Sequence, residues 1–448
     1  MIKTDNFNWI KETTLATLIK NLGYRDHIFK FVGGCVRDTL LGKLPKDFDI
    51  ASNFTPQENI DNLESQNIKT LPTGIQYGTI SVIINQQSFE ITSLRQDIKT
   101  DGRKAIVKFT KDFFADACRR DFTFNALYLC PYSLEITDYF GGKDDLAAGE
   151  IIFIGDPKLR IGEDYLRILR FFRFYALYGK KEPEAKILEI IKDQSPNLAK
   201  LSPERVSEEF TKIIMVADPT VTLKLMANYK VLEKILPYNP LAINNIAKLI
   251  KLEEDFNVKN KILRVAFIYN LITTSKNIKL LNFTNFLLEK AEIKQLTNII
   301  TLKYIISKNL NLAFSEICIL LTNYKTDEIL YSLICLASLY PTNKDNYIKL
   351  AKKALEVNQL ILPLNGLDIH QLLEEIINPS LKSLNTKVEQ KSGQVEYLAK
   401  KLDLALIGDT LNHVKVIFWQ NPQLSRSTCL QKAKDYLTSA LKSPNFIN

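Results

Sequence analysis

Histidine is scarce in this 448-residue chain: His27, His370 and His413 are the only three, and they lie far apart. No His-Asp pair occurs, which excludes a histidine-based metal hydrolase. Cysteine is sparse too. Cys35, Cys118, Cys130, Cys318, Cys335 and Cys429 are scattered without any C-x-x-C spacing. That argues against structural zinc and for free thiols in a reducing cytoplasm. There is no apolar run of about 18 residues, so no membrane span is expected. The opening residues, Met1 to Ile10, lack a basic stretch followed by an apolar core, so no signal peptide is read and the expected location is cytoplasmic.

The residues that are present describe a globular chain, 46% hydrophobic and 24% charged. Its length predicts roughly two to four compact units. The net charge of +9 suits a polyanionic partner.

Residues 31–51 are the most informative stretch. An apolar approach ends at Gly33-Gly34, and a helical run with Val36, Leu40 and Leu41 follows, closed by Gly42. Asp47-Phe48-Asp49-Ile50-Ala51 then alternates with the period of a strand. On a strand Asp47 and Asp49 share a face, roughly 7 Å apart. Carboxylates that close repel unless a cation lies between them. Mg²⁺ suits such a seat, because it takes one or two carboxylates plus substrate phosphates. The glycine pair lets backbone N–H groups approach a phosphate chain, and the helix behind it adds its positive end.

Residues 79–92 read as a strand hairpin, and Glu90 is a natural third carboxylate if its strand neighbours that of Asp49. Otherwise it is an exposed strand glutamate. Residues 95–110 read as a charged loop turning at Asp101-Gly102, and residues 151–154 as one short strand. Arg119 and Arg120 sit among apolar residues. Their guanidinium groups either converge on phosphate oxygens or pair with Asp116 or Asp121. Asn125 has donor and acceptor groups suited to a ribose hydroxyl. From Arg160 onward the pattern is helical. Over residues 163–178 a predicted helix, apolar all round, carries Asp164, Arg167, Arg170 and Arg173 every third residue. Asp164 and Arg167 either satisfy each other or read a base that shows an amino group beside a ring acceptor, as cytosine and adenine do. Ser202-Pro203 starts a further helix, on which Arg205 is expected to brace a neighbour through an acidic partner. Residues 380–448 hold nine lysines and one arginine against five acids, so a basic tail tracking a nucleic-acid backbone and an ordinary solvated surface are both open.

Five stretches fall in a telling order: Gly33-Gly34 through Asp47-x-Asp49; Arg119-Arg120-Asp121 with Asn125-Ala126; Asp138-x-x-Gly141-Gly142-x-x-Asp145-Leu146; Glu163-Asp164-x-x-Arg167; and Glu204-Arg205-x-x-x-Glu209. Together with the 95–110 loop they resemble the signature of the class II tRNA nucleotidyltransferase (CCA-adding) and poly(A) polymerase family, over about residues 28–210. The resemblance implies an α+β architecture: a polymerase-β-like palm head with a small mixed sheet (1–150), then a helical neck that recognises the base (151–215), a helical body (216–370) and a basic helical tail contacting tRNA (371–448). It further implies catalysis by Asp47, Asp49 and Glu90, with Mg²⁺ on the first two. Gly34 and Arg37 would contact the triphosphate, and Arg119, Arg120 and Asn125 phosphate or sugar. Asp164, Arg167, Arg170 and Arg173 would line the nucleotide, the first two as a protein template for C and A. The 95–110 loop would help switch acceptance from CTP to ATP, with tRNA as the acceptor. Poly(A) polymerases of this kind resemble one another in a Gly-Arg-Arg-Phe-like insertion near the second strand. Here Tyr77-Gly78-Thr79-Ile80-Ser81-Val82 runs on without it, which favours CCA addition. An enzyme adding only the terminal A would carry the same motifs. So would an RNA-binding protein with an inactive head, although the intact Arg37, Asp47 and Asp49 argue against that.

Overall fold

The computed structural model describes residues 4–22, 29–101, 104–269, 285–309, 312–381 and 392–441. The chain divides into two compact units, Met1–Ile243 with Asn282–Leu287, and Asn244–Leu281 with Leu288–Asn448.

The first unit is built on a seven-stranded sheet. Its strands are β1 (Phe29–Val32), β2 (Asp49–Ser52), β3 (Lys69–Gly74), β4 (Thr79–Ile84), β5 (Gln87–Ser93), β8 (Leu127–Leu129) and β9 (Ile136–Asp138). They lie in the order β3-β4-β5-β2-β1-β8-β9. Every neighbouring pair is antiparallel except β2 and β5, which run parallel with Asp49 opposite Glu90. The mixed sheet of the α+β expectation is therefore present.

Strand alternation gives the sheet two faces. Phe29, Phe31, Ile50, Phe89, Ile91, Leu127 and Leu129 point to one, where they bury Trp9 and helix α1 (Thr13–Leu22) through Leu15, Leu18 and Leu22. Phe48 packs on the same side, against Trp9 and Phe31. Val32, Ala51 and Tyr128 point to the other, with Leu94, Phe113 and Ala117. Asp49 and Glu90 alternate with the first set, so both carboxylates belong to this second face.

Helix α2 (Gly34–Leu40) starts directly after Gly33, whose φ of +72° suits glycine, and ends before Gly42, also at φ +72°. Helix α3 (Pro56–Glu64) begins with Thr55 and Glu58 in a reciprocal capping box. The charged 95–110 segment is not a loop. It forms a second sheet, β6 (Arg95–Asp101) paired antiparallel with β7 (Lys104–Phe109). Its charges mask the alternation along it, and Gly102 and Arg103 lie outside the described residues. Helix α4 (Phe113–Cys118) follows, capped by Asp112 on the Phe114 N–H. Residues 151–154 are likewise not a strand: only an isolated bridge joins Phe153 to Phe122.

Beyond the sheet come α5 (Gly142–Ala148), α6 (Pro157–Glu163), α7 (Leu166–Tyr178), α8 (Ala185–Gln194), α9 (Pro203–Ile214) and α10 (Thr220–Asn228). Gly142 approaches the backbone so closely that a β-carbon there would sit 2.3 Å from the Thr123 carbonyl oxygen. The single helix expected over 163–178 is two helices broken at Asp164, which has extended φ/ψ of −152° and 107°. The break is stabilised by the Asp164 carboxylate, which accepts from the Leu166 N–H (3.1 Å). Phe122, Phe153, Phe171 and Phe174 pack ring against ring and fix α7 to this unit.

The second unit is helical throughout its described residues, with a long buried helix at Thr326–Leu339 and further helices at Lys290–Lys308 and Lys344–Asn358. It buries the ion pair Arg264–Glu253 and the Lys303 ammonium, which donates to the Ala266 carbonyl at 3.0 Å. Among the described residues no helix is long and apolar enough to cross a membrane.

Candidate nucleotide site

A cleft of about 550 Å³ in the first unit opens between the β3–β4 turn, the residues after α4, and the α6–α7 break. Six arginines line it, Arg95, Arg119, Arg120, Arg167, Arg170 and Arg205, against four acids, Asp97, Asp121, Glu163 and Asp164. The excess of guanidinium groups suits a bound polyanion.

Each arginine is oriented by an acid. Asp116, on α4 and buried, takes Arg119 on one oxygen (2.7 Å) and Arg120 on the other (3.0 Å), and accepts from the Tyr128 hydroxyl (2.7 Å). Burial alone would raise the Asp116 carboxyl, but Arg120 and Arg119 overcome it and hold it at about 2. The arginine pair is thus anchored by Asp116 rather than left free, with Asp116 three and four residues upstream. Asp121, also buried, is raised by desolvation but held at about 2 by Arg170 (2.6 Å) and by the Asn125 side-chain N–H (3.1 Å). Arg160, one turn before the helix break, donates to the backbone carbonyls of both Arg119 and Arg120 and pairs with Glu163.

Asp164 does not pair with Arg167. Its partner is Arg205 on α9 (2.8 Å), the bracing role expected for Arg205, while Arg167 pairs with Glu163. Asp164, Arg167 and Arg170 all face the cleft. Arg173 is turned instead into α9, where it pairs with Glu209 at 2.6 Å.

The carboxylate seat lies at the glycine corner. A β-carbon on Gly33 would meet Asp49 Oδ2 at 3.9 Å, Arg120 Nη1 at 3.8 Å and the Asn125 carbonyl at 3.7 Å. Arg120 therefore connects this corner to the cleft, although Gly34, Arg37, Asp47, Asp49, Glu90 and Asn125 are not themselves among the cleft-lining residues. Loss of hydration raises the Asp49 carboxyl above its ordinary value. Arg120 opposes this, Asp47 reinforces it, and Arg37 lowers it. Like charge between Asp47 and Asp49 is what a hard cation would relieve. Among the described residues no group of three or more His, Cys, Asp or Glu forms a ready cage. A cation held here by two carboxylates would complete its shell with water or phosphate oxygens, as Mg²⁺ does.

Arg37 on α2 is buried, with Nη1 donating to the Asn125 Oδ1 (2.7 Å) and its guanidinium over the rings of Phe174 and Tyr178. Several residues that shape the site carry little sequence signal of their own. Arg160 and Tyr128 read as part of buried helix and strand, whereas Asp116 is one of the two acids the sequence offers as partners for the arginine pair.

Residues 29–152 match the Poly A polymerase head domain, and residues 182–240 match the domain described as the probable RNA and SrmB-binding site of polymerase A. Over these residues the chain is similar to the class II tRNA nucleotidyltransferase and poly(A) polymerase family. Among relatives in this family is the mitochondrial CCA tRNA nucleotidyltransferase 1 of Danio rerio, 39% identical over 48% of this chain and 50% of its own length. The CCA-adding enzyme of Leuconostoc mesenteroides is 38% identical over 48% of this chain and 52% of its own length. Poly(A) polymerase I of Haemophilus influenzae is 33% identical over 46% and 47%. The chain thus spans about half the length of these relatives. The fold matches the Thermotoga maritima CCA-adding enzyme solved in complex with tRNA-CCA, with a TM-score of 0.68, 18% identity and 98% of each chain covered.

Proposed function

We propose that this protein adds C and A to tRNA 3′ ends, using CTP and ATP and releasing pyrophosphate, with Mg²⁺ held by Asp47 and Asp49. The observation that carries the reading is the joining, through Arg120, of a carboxylate-bearing glycine corner to a cleft lined with paired arginines. The resemblance of the relatives named above, CCA-adding enzymes among them, supports it.

The 3′-hydroxyl oxygen of the primer attacks the α-phosphorus of the nucleotide, the bond from that phosphorus to the bridging oxygen breaks, and pyrophosphate departs. When bound, the metal would neutralise charge on phosphate oxygens and ease loss of the hydroxyl proton. Gly34 and Arg37 hold the triphosphate end, and Arg119 and Arg120, already oriented by Asp116, hold phosphate or sugar at little reorganisation cost. Asn125 offers a ribose contact. At the other end Asp164 accepts from an exocyclic amino group while Arg167 donates to the neighbouring ring acceptor. Guanine and uracil place a carbonyl where Asp164 requires a donor. Arg205 on Asp164 and Glu163 on Arg167 keep those two side chains in place for both nucleotides. Glu90 lies in register beside Asp49 and is a third acid for the same corner.

The test is nucleotide addition to a tRNA ending just before C-C-A, with Mg²⁺ and CTP, ATP or both. Two additions with CTP alone and three with both are expected. A long A tail would assign the chain to poly(A) synthesis instead, and no extension at all would remove the enzymatic reading.

A further inference from the structure

Helix α7 is tied to the glycine corner at two points, eight residues apart. At its first point Arg170 pairs with Asp121 (2.6 Å), which accepts from the Asn125 side-chain N–H (3.1 Å). Asn125 in turn accepts from Arg37 Nη1 (2.7 Å). Arg37 holds Asp38 through Nε (3.0 Å) and Nη2 (2.9 Å). Asp38 accepts from the Tyr178 hydroxyl (3.1 Å), which returns the path to α7. The path is closed: it leaves the helix at Arg170 and re-enters it at Tyr178. Phe174 and Tyr178, one helical turn apart, also set their rings against the Arg37 guanidinium, at 5.3 and 5.0 Å.

Arg37 has five N–H donors in a rigid fork. Three of them are committed within the ring, two to Asp38 and one to Asn125. Nη2 lies 3.7 Å from where a β-carbon on Gly34 would be, so the contacts within the ring aim the guanidinium at the glycine corner.

We propose that Asp38 and Tyr178 are positioning residues that lock the Arg37 guanidinium to helix α7, fixing the separation between the phosphate-holding corner and the base-reading helix. This rests on the nucleotide reading given above and adds two residues that no motif assigned a role. Neither touches the nucleotide. Asp38 is spent on Arg37, and Tyr178 carries the same carboxylate back to α7. A rival account makes Asp38 a mere counter-charge. In that case its removal would leave Arg37 more cationic and tighten anion binding, the opposite sign.

The full chain is compared with Asp38→Asn and Tyr178→Phe in primer extension with CTP and with ATP, with pyrophosphate as product inhibitor. KM for both nucleotides should rise about tenfold in Asp38→Asn and about threefold in Tyr178→Phe, with kcat within about twofold, because the interaction serves ground and transition states alike. Inhibition by pyrophosphate should weaken by the same factors. The double variant should cost less than the product of the two single effects, since both act through one carboxylate. A KM that falls or stays unchanged in Asp38→Asn overturns the proposal, as does a loss confined to kcat. Tyr178→Phe removes one oxygen and guards against misfolding as the cause, so an unchanged KM and pyrophosphate inhibition in that variant also overturns it. If the unaltered protein extends no primer, the enzymatic reading fails. The ring is then judged on equilibrium binding of CTP, ATP and pyrophosphate to the same three proteins, with the same expected order.

Discussion

Replacing Asp116 by Asn should destabilise the first unit by an amount that shrinks in acid. Asp116 is 1% exposed and receives both Arg119 and Arg120, whose side chains are 16% and 18% exposed. The two cations keep partial access to water, so the loss lies near the lower end for a broken buried pair, about 3 kcal/mol. For a unit of this size that lowers the melting temperature by about 6–12 °C. The pH dependence follows from the Asp116 carboxyl, held at about 2 against an ordinary 3.8. A depressed carboxyl contributes its stabilisation above the unfolded value and loses it as pH falls through the folded one. The drop from 3.8 to about 2 corresponds to about 2.5 kcal/mol when fully present. By pH 3 about 1 kcal/mol of this is gone, so the gap between the two proteins should narrow by that amount from pH 7. Thermal melts of both proteins at pH 7 and pH 3 read this directly. A melting temperature within 2 °C of the unaltered protein at pH 7, or a gap that does not narrow, would refute the account of Asp116 as the anchor of the arginine pair.

Asp49→Asn should reduce nucleotide addition by about a thousandfold or more, in line with losing a charge that organises the transition state. A fold-preserving variant that still extends primer at near-normal rate would exclude Asp49 from the reaction. Asp164→Ala should chiefly relax base choice, narrowing the preference for CTP over UTP by about 10- to 100-fold. Competition of the two nucleotides for one primer measures it, and an unchanged ratio would sink the template reading. Lys303→Met should stabilise the second unit by about 1 kcal/mol, because an apolar side chain replaces a buried ammonium. Burial lowers the Lys303 ammonium below its ordinary 10.5. The unfolded chain thus binds that proton more readily, and the penalty grows as pH falls below 10.5. The advantage of the variant should therefore shrink as pH is raised toward that value, and a destabilised variant at neutral pH would contradict the sign.

Local chemistry carried most of what could be read from the sequence. The glycine pair, the helix behind it and the hairpin that carries Glu90 are each decided by neighbours in sequence, and all form as expected. The parallel pairing of Asp49 with Glu90 was only conditionally legible, since register between strands depends on the whole sheet. Three segments misled, the shortest being residues 151–154, where only an isolated bridge forms. Charged residues over 95–110 imitated a loop although they pair as β6 and β7. The run from Glu163 to Tyr178 kept helical composition across a break at Asp164, whose carboxylate caps the Leu166 N–H and pairs with the distant Arg205. Partner choice was the least legible layer. That Asp164 would pair with Arg205 and not Arg167, and that Asp116 would take two arginines at once, depends on how α4, α7 and α9 pack.

The lone parallel pair in an otherwise antiparallel sheet also bears on the order of assembly. Hairpins such as β4–β5 close over a two-residue turn and form early. Joining β5 to β2 must first bring together segments about forty residues apart, a slow, non-local step. Asp49 and Glu90 meet only in that step. Recovery of catalysis during refolding should therefore trail the recovery of secondary structure, since the acid corner is among the last parts of the molecule to come into being.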